Sequence, residues 1–155
     1  MSSEQGVSEV LAMMKRIKEE HPSLSVDFVD VFCETGVYNV EQTRRMLLTG
    51  QSIFNCKTTV HGEELSHTGI SQFVDMLGIH SLSHGEFLEQ KGIMSMSNAK
   101  AALVLCPNTV HVLKISPPPT RALIRANVPI AIGDDHLRSP YRFNIETNMF
   151  KLRSF

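Results

Sequence analysis

The stretch KTTVHGEEL, Lys57 to Leu65, follows an apolar run and ends on a histidine, a glycine and two adjacent carboxylates. A polar cluster of this kind is either an ordinary solvated turn or the chemical end of a β-strand, and the segments around it separate the two. Upstream, Val7, Val10, Leu11, Met14 and Ile17 fall at helical spacing until HPSLS breaks the pattern, which predicts an amphipathic opening helix. The strand-like VDFVDVFCE follows. Asn39 with Gln42 then reads as a capping box starting a helix through EQTRRMLLT, with Gly50 where a glycine stop belongs.

Downstream the unit recurs. IFNCKTTVH leads to a helix with Ile70, Phe73, Val74 and Leu77 on one face, closed by Gly78, and IHSLSH leads to GEFLEQKGIMSMSNAK, helical but weakened by Gly92. AALVLCPNT is a further strand, followed by a proline-marked loop, the short helix TRALIRAN and a last strand in VPIAIGDDH. Strands therefore start at Val26, Ile53, Ile79, Ala102 and Val128, at intervals of about 25 residues, which suits strand-helix repeats. Such strands pair in parallel through right-handed crossovers and are expected to be buried on both faces. The expected fold class is α/β, one domain over residues 1–155, either an open doubly wound sheet or part of a (β/α)8 TIM-like barrel with about five βα units.

Fifteen basic against sixteen acidic residues leave a formal net charge of -1, which gives neither a phosphate-backbone footprint nor a polybasic membrane anchor. Nucleic acid and membrane are therefore not expected partners. MSSEQGVSEV lacks the basic and apolar blocks of a signal peptide, so the expected compartment is the cytoplasm. Cys33, Cys56 and Cys106 are widely spaced among apolar neighbours and read as reduced, buried thiols in strands.

In either architecture chemistry gathers beyond the C-terminal ends of the strands, where the βα loops converge. The residues ending the strands are Glu34; His61 with Glu63 and Glu64; His84 with Glu86; Asn108 with Thr109; and Asp134 with Asp135 and His136. Any one of these is more often a turn former or cap than a ligand; the coincidence across strands is what counts. His67 reads as a loop residue, His111 as lying near a strand end, and His80 as structural at a strand start. Imidazoles and a carboxylate drawn from different strands suit zinc or iron, and a glutamate beside them suits proton transfer. Neither HExxH nor HxxEH occurs, and GxGxxG, GxxxxGK[ST] and GxSxG are absent too.

Taken together, VDVFCETGVYNVEQTRR, VHGEEL, SLSHGEF, LCPNT and ANVPIAIGDDHLRSPYRFN resemble, in order, the imidazolonepropionases of the amidohydrolase superfamily. The resemblance implies a partial metal-dependent hydrolase barrel and hydrolytic opening of the ring of 4-imidazolone-5-propanoate, a small-molecule substrate, to N-formimidoyl-L-glutamate. It implies one zinc or iron ion, divalent or trivalent, per complete site. His61 and Asp135 would be metal ligands after the fifth and eighth barrel strands. Glu64 would orient water and shuttle protons, His84 on the sixth strand would stabilise the carbonyl oxygen as it gains charge, and Asp135 would also take a proton from water. Glu63 is expected only to face the rim.

Two departures from the family pattern bear on the expected activity. The H-x-H pair of ligands that the family carries on its first barrel strand has no counterpart here, and HLRSP stands where an asparagine and proline-rich loop usually follows Asp135. A complete barrel takes about 250 residues, so the chain is expected to be its later part, with little or no turnover by itself. FNIETNMFKLRSF reads as the helix after the last strand. The alternative expectation is a non-catalytic, truncated isoform acting through a partner or as a homo-oligomer, because an unclosed sheet leaves edges and barrel-facing side chains uncovered. A third is an open α/β module binding a small anion without metal.

Overall fold

A computed structural model describes residues 2–135 and 149. Five strands, β1 (Phe28–Cys33), β2 (Lys57–Gly62), β3 (Ser81–His84), β4 (Ala102–Leu105) and β5 (Ile130–Ile132), form one sheet in chain order, each parallel to its neighbour. That order separates the two candidate architectures. A doubly wound sheet reverses direction partway, whereas right-handed crossovers that always step the same way keep every helix on one face and curl the sheet toward a barrel. The fold is thus a partial (β/α)8 barrel of five βα units, and the doubly wound alternative falls away.

The helices are α1 (Ser3–Glu20), α2 (Val40–Phe54), a 3-10 turn (Ile70–Phe73) running into α3 (Val74–Leu77), α4 (Gln90–Ala99), α5 (Pro107–Leu113) and α6 (Thr120–Arg125). The capping box at α2 is present in full: Gln42 N donates to Asn39 Oδ1 at 2.9 Å and Asn39 N donates to Gln42 Oε1 at 3.0 Å. Gly50, however, does not stop this helix. A Cβ there would sit 2.7 Å from Val29 Cγ2, so the glycine lets α2 lie close on β1, and the helix runs on through Ile53 to a left-handed Asn55. The second strand consequently begins at Lys57.

Gly92 has a similar role in α4. Its Cβ would fall 2.0 Å from Ser71 Oγ and 2.6 Å from Ser71 Cβ, so what looked like a weak point in a helix is a close crossing of α4 over the 3-10 turn. Gly92→Ala should lower unfolding free energy by about 2 kcal/mol through overpacking, read from the urea midpoint, despite alanine's better helix propensity. Pro107 opens α5 where the end of a strand and then a loop were expected. Asn108 and Thr109 therefore lie in the first turn of a helix, and His111 is helical. Cys33 is buried in β1, while Cys56 and Cys106 flank β2 and β4; all three are free thiols.

Burial alternates along the strands instead of being continuous. Val29, Val31 and Cys33 of β1, Val60 of β2, Leu82 of β3 and Leu103 and Leu105 of β4 pack under the helices with Met46, Leu47, Val74, Ile93, Met96 and Leu123. Asp30, paired with Thr59, and Thr59, paired with Ser81, lie on the other face, which the helices do not cover. Phe28 there is 47% exposed. Among the described residues no helix is long and apolar enough to cross a membrane. His136, HLRSP and the helix expected in FNIETNMFKLRSF lie outside the described residues, Met149 apart.

Candidate active site at the strand ends

The site forms where β2, β3 and β5 end. His84 is the last residue of β3, paired with Gly62, a position whose parity points toward the helices. Its backbone takes φ +78°, a conformation costly for a side chain other than asparagine or aspartate, and this turns the ring away from its regular strand direction. Nε2 then lies 3.6 Å from Glu64 Oε2 and 3.9 Å from Asp135 Oδ2, with His84 1% exposed. Asp135 also has positive φ, 45°, as does Glu63 at 54°. Three strand ends thus hold left-handed residues beside one cluster, and the strain at His84 and Glu63 persists only where surrounding contacts over-determine it.

Several contacts do so. Thr109 Oγ1 donates to Asp135 Oδ2 at 2.5 Å and Asn108 Nδ2 donates to Asp134 Oδ1 at 2.6 Å, so the first turn of α5 aligns the segment after β5. On the other side, the buried Glu34 carboxylate accepts from its neighbour Thr35 N and from Glu64 N, Leu65 N and Ser66 Oγ, the last three tying the loop that carries Glu64 to the end of β1. Glu63, expected at the rim, is instead fully buried: Gly69 N donates to its Oε1 at 3.0 Å, making it the brace of the following turn. Its neighbour Glu64 is the one turned to the site.

His61 stands beside the cluster. Its ring centroid is 5.5 Å from that of His84, and its Nδ1 pairs with Asp30 Oδ2 at 2.9 Å. Asp30 also accepts from Thr59 Oγ1 at 2.5 Å. The sequence reading overlooked Asp30 because it lies mid-strand, not at a strand end. Its parity with His61 across the parallel register was the available signal, since Asp30 faces Thr59 one alternation before Phe32 faces His61. His67 lies apart, with Nδ1 3.2 Å from Phe87 O.

Electrostatics set the groups apart. Burial pushes the Glu64 carboxyl up to about 7, helped by the Asp135 and Glu34 carboxylates. Burial lowers His84 to about 4 against the pull of Asp135, and raises Glu86 to about 8. The hydrogen bond that the His61 ring donates to Asp30 raises His61 in spite of burial. Burial also pushes the Cys106 thiol up to about 12, leaving it an inert hydrophobe. Glu64, His84 and Asp135 each offer a ligand atom within 4.8 Å of the others, which makes them a candidate metal-holding group. His61, with Nδ1 occupied by a carboxylate, presents the arrangement usual for an imidazole whose other nitrogen binds a metal.

Against known proteins, no family model matches the chain. It is 34% identical over 122 residues to the probable imidazolonepropionase of Xenopus tropicalis, 36% over 141 residues to that of Nematostella vectensis and 31% over 134 residues to that of Homo sapiens. These matches cover 79%, 91% and 85% of this chain but 28%, 32% and 31% of those proteins, so the chain spans under a third of the length of these relatives. Among solved structures, that of Arabidopsis ADAL complexed with IMP superposes with a TM-score of 0.66 at 15% identity, covering 96% of this chain and 41% of that one, and supports the barrel fold alone. With the strand-end motifs and the singly wound sheet, these matches identify the chain as a homologue of the imidazolonepropionases over the part of them that it spans.

Proposed function

We propose that the chain carries part of the active site of a metal-dependent hydrolase that opens the ring of 4-imidazolone-5-propanoate to N-formimidoyl-L-glutamate. The observation that carries this reading is the convergence of Glu64, His84 and Asp135 from three strand ends, with His61 alongside. Imidazole nitrogen and carboxylate oxygen fit zinc or iron. Asp135 and His61 would hold the ion, Asp135 being common to this pair, expected from the resemblance, and to the candidate group with Glu64 and His84. When bound, such an ion supplies Lewis acidity, lowering the pKa of water and polarising a carbonyl.

The remaining steps fall to the chain's own side chains. Asp135 accepts a proton from the attacking water. Glu64, titrating near neutrality, receives that proton and returns it to the ring nitrogen as the carbon-nitrogen bond breaks. His84 donates from its ring to the carbonyl oxygen as charge develops there, a task suited to a neutral imidazole. Asp30 holds His61 in one orientation. The substrate is a small molecule, and the setting would be cytoplasmic.

A catalytic zinc normally takes three protein ligands plus water. With only His61 and Asp135 assigned to the ion, and Glu64 and His84 to the reaction, the chain is expected to bind metal weakly and to release little or no formimidoyl-glutamate when given imidazolone propanoate and zinc. Tight binding of one zinc per chain with steady product release would overturn that expectation. The second reading, a non-catalytic chain that works by association, is favoured by the uncovered sheet face with its exposed Phe28. Sedimentation should then show self-association or aggregation, and a stable compact monomer would count against it.

A further inference from the structure

Among the described residues, two buried polar groups beside the cluster lack partners: His84 Nδ1 and both carboxyl oxygens of Glu86 are buried with no hydrogen-bond partner there. They face each other: Nδ1 lies 3.9 Å from Glu86 Oε1, and both side chains are 1% exposed. Leaving either group unsatisfied costs about 1 to 3 kcal/mol, and a small rotation of one side chain brings the two within hydrogen-bond reach. Neutral imidazole carries its single proton on one nitrogen or the other, and the partner of one nitrogen fixes the role of the second.

We propose that Glu86 is a positioning residue: its carboxyl is the hydrogen-bond partner of His84 Nδ1 and thereby fixes the ring orientation and the tautomer that Nε2 presents to Glu64 and Asp135. Glu86 touches no reacting atom; it acts through His84. The structural claim stands on the ring geometry, and only its chemical consequence rests on the proposed hydrolase site.

The test is long-range proton-nitrogen NMR of the His84 ring in the full chain at neutral pH, in wild type, Glu86→Gln and Glu86→Leu. Wild type should show one dominant tautomer. Glu86→Gln, whose NH2 can donate to Nδ1, should keep the Nε2–H form, and Glu86→Leu should change the tautomer ratio several-fold. Equal tautomer populations in wild type overturn the proposal even if Glu86→Leu does not fold, and so does an unchanged ratio in a folded Glu86→Leu chain. A zinc titration separates the two ideas. With the ion assigned to His61 and Asp135, Glu86→Leu should leave zinc affinity nearly unchanged, whereas Asp135→Ala should weaken it. If Asp135→Ala leaves zinc binding unchanged while the tautomer still depends on Glu86, the hydrolase reading fails and the positioning role stands.

Discussion

Glu34→Ala should destabilise the chain by about 4 kcal/mol, the largest loss expected from any single side chain near the site. The reason lies in what the carboxylate satisfies. It is 2% exposed and accepts from the backbone N–H groups of Glu64 and Leu65 at 3.0 Å each, from Thr35 N at 3.1 Å and from Ser66 Oγ. Hydrogen bonds to an ionised acceptor are stronger than neutral ones, and alanine would leave those donors facing a cavity. Glu34→Gln keeps shape and one acceptor oxygen, so it should lose about half as much. Urea unfolding followed by circular dichroism gives both numbers; a loss under about 1 kcal/mol for Glu34→Ala would mean that the loop holds itself. A second consequence is functional: without Glu34 the loop no longer aims Glu64, and metal-linked properties should weaken with stability.

Asp135→Ala should reduce the chain's weak zinc affinity roughly 100-fold, to no detectable heat in a calorimetric titration, because it removes the proposed carboxylate ligand common to the pair with His61 and the group with Glu64 and His84. His61→Ala should act in the same direction. Thr109→Ala, which removes the 2.5 Å hydrogen bond that holds Asp135, should cost about tenfold. Glu63→Ala serves as the contrast: this buried residue braces Gly69, so its loss should lower stability and leave zinc affinity nearly unchanged. A metal-independent site for a small anion would ignore Asp135→Ala and His61→Ala alike.

Much of the architecture was legible because it depends on local signals. The Asn39–Gln42 box, the Gly78 stop and the recurrence of apolar runs are written in short windows of sequence, and the structure contains each of them. Gly50 and Gly92 were misread because their reasons are tertiary: a glycine that ends a helix and one that lets a helix touch Val29 or Ser71 look alike in sequence. Continuous strand burial failed for a related reason, since the helices cover one face of this sheet only.

The site divides in the same way. His61, Glu64, His84 and Asp135 sit at strand ends, where topology gathers them. Asp30 and the bracing roles of Glu34 and Glu63 required knowing which side chains share a face and which loop N–H groups need an acceptor. Adjacent glutamates in HGEEL illustrate the limit: alternation, and a left-handed Glu63, send one into the core and the other to the site.

A zinc absorption-edge spectrum of the metal-loaded chain bears on the strand-end cluster without needing turnover. The predicted result is a shell of nitrogen and oxygen at about 2.0 to 2.1 Å with the outer scattering of imidazole, lost in Asp135→Ala. Sulfur at about 2.3 Å, or water oxygen alone in a spectrum that Asp135→Ala does not change, would contradict it.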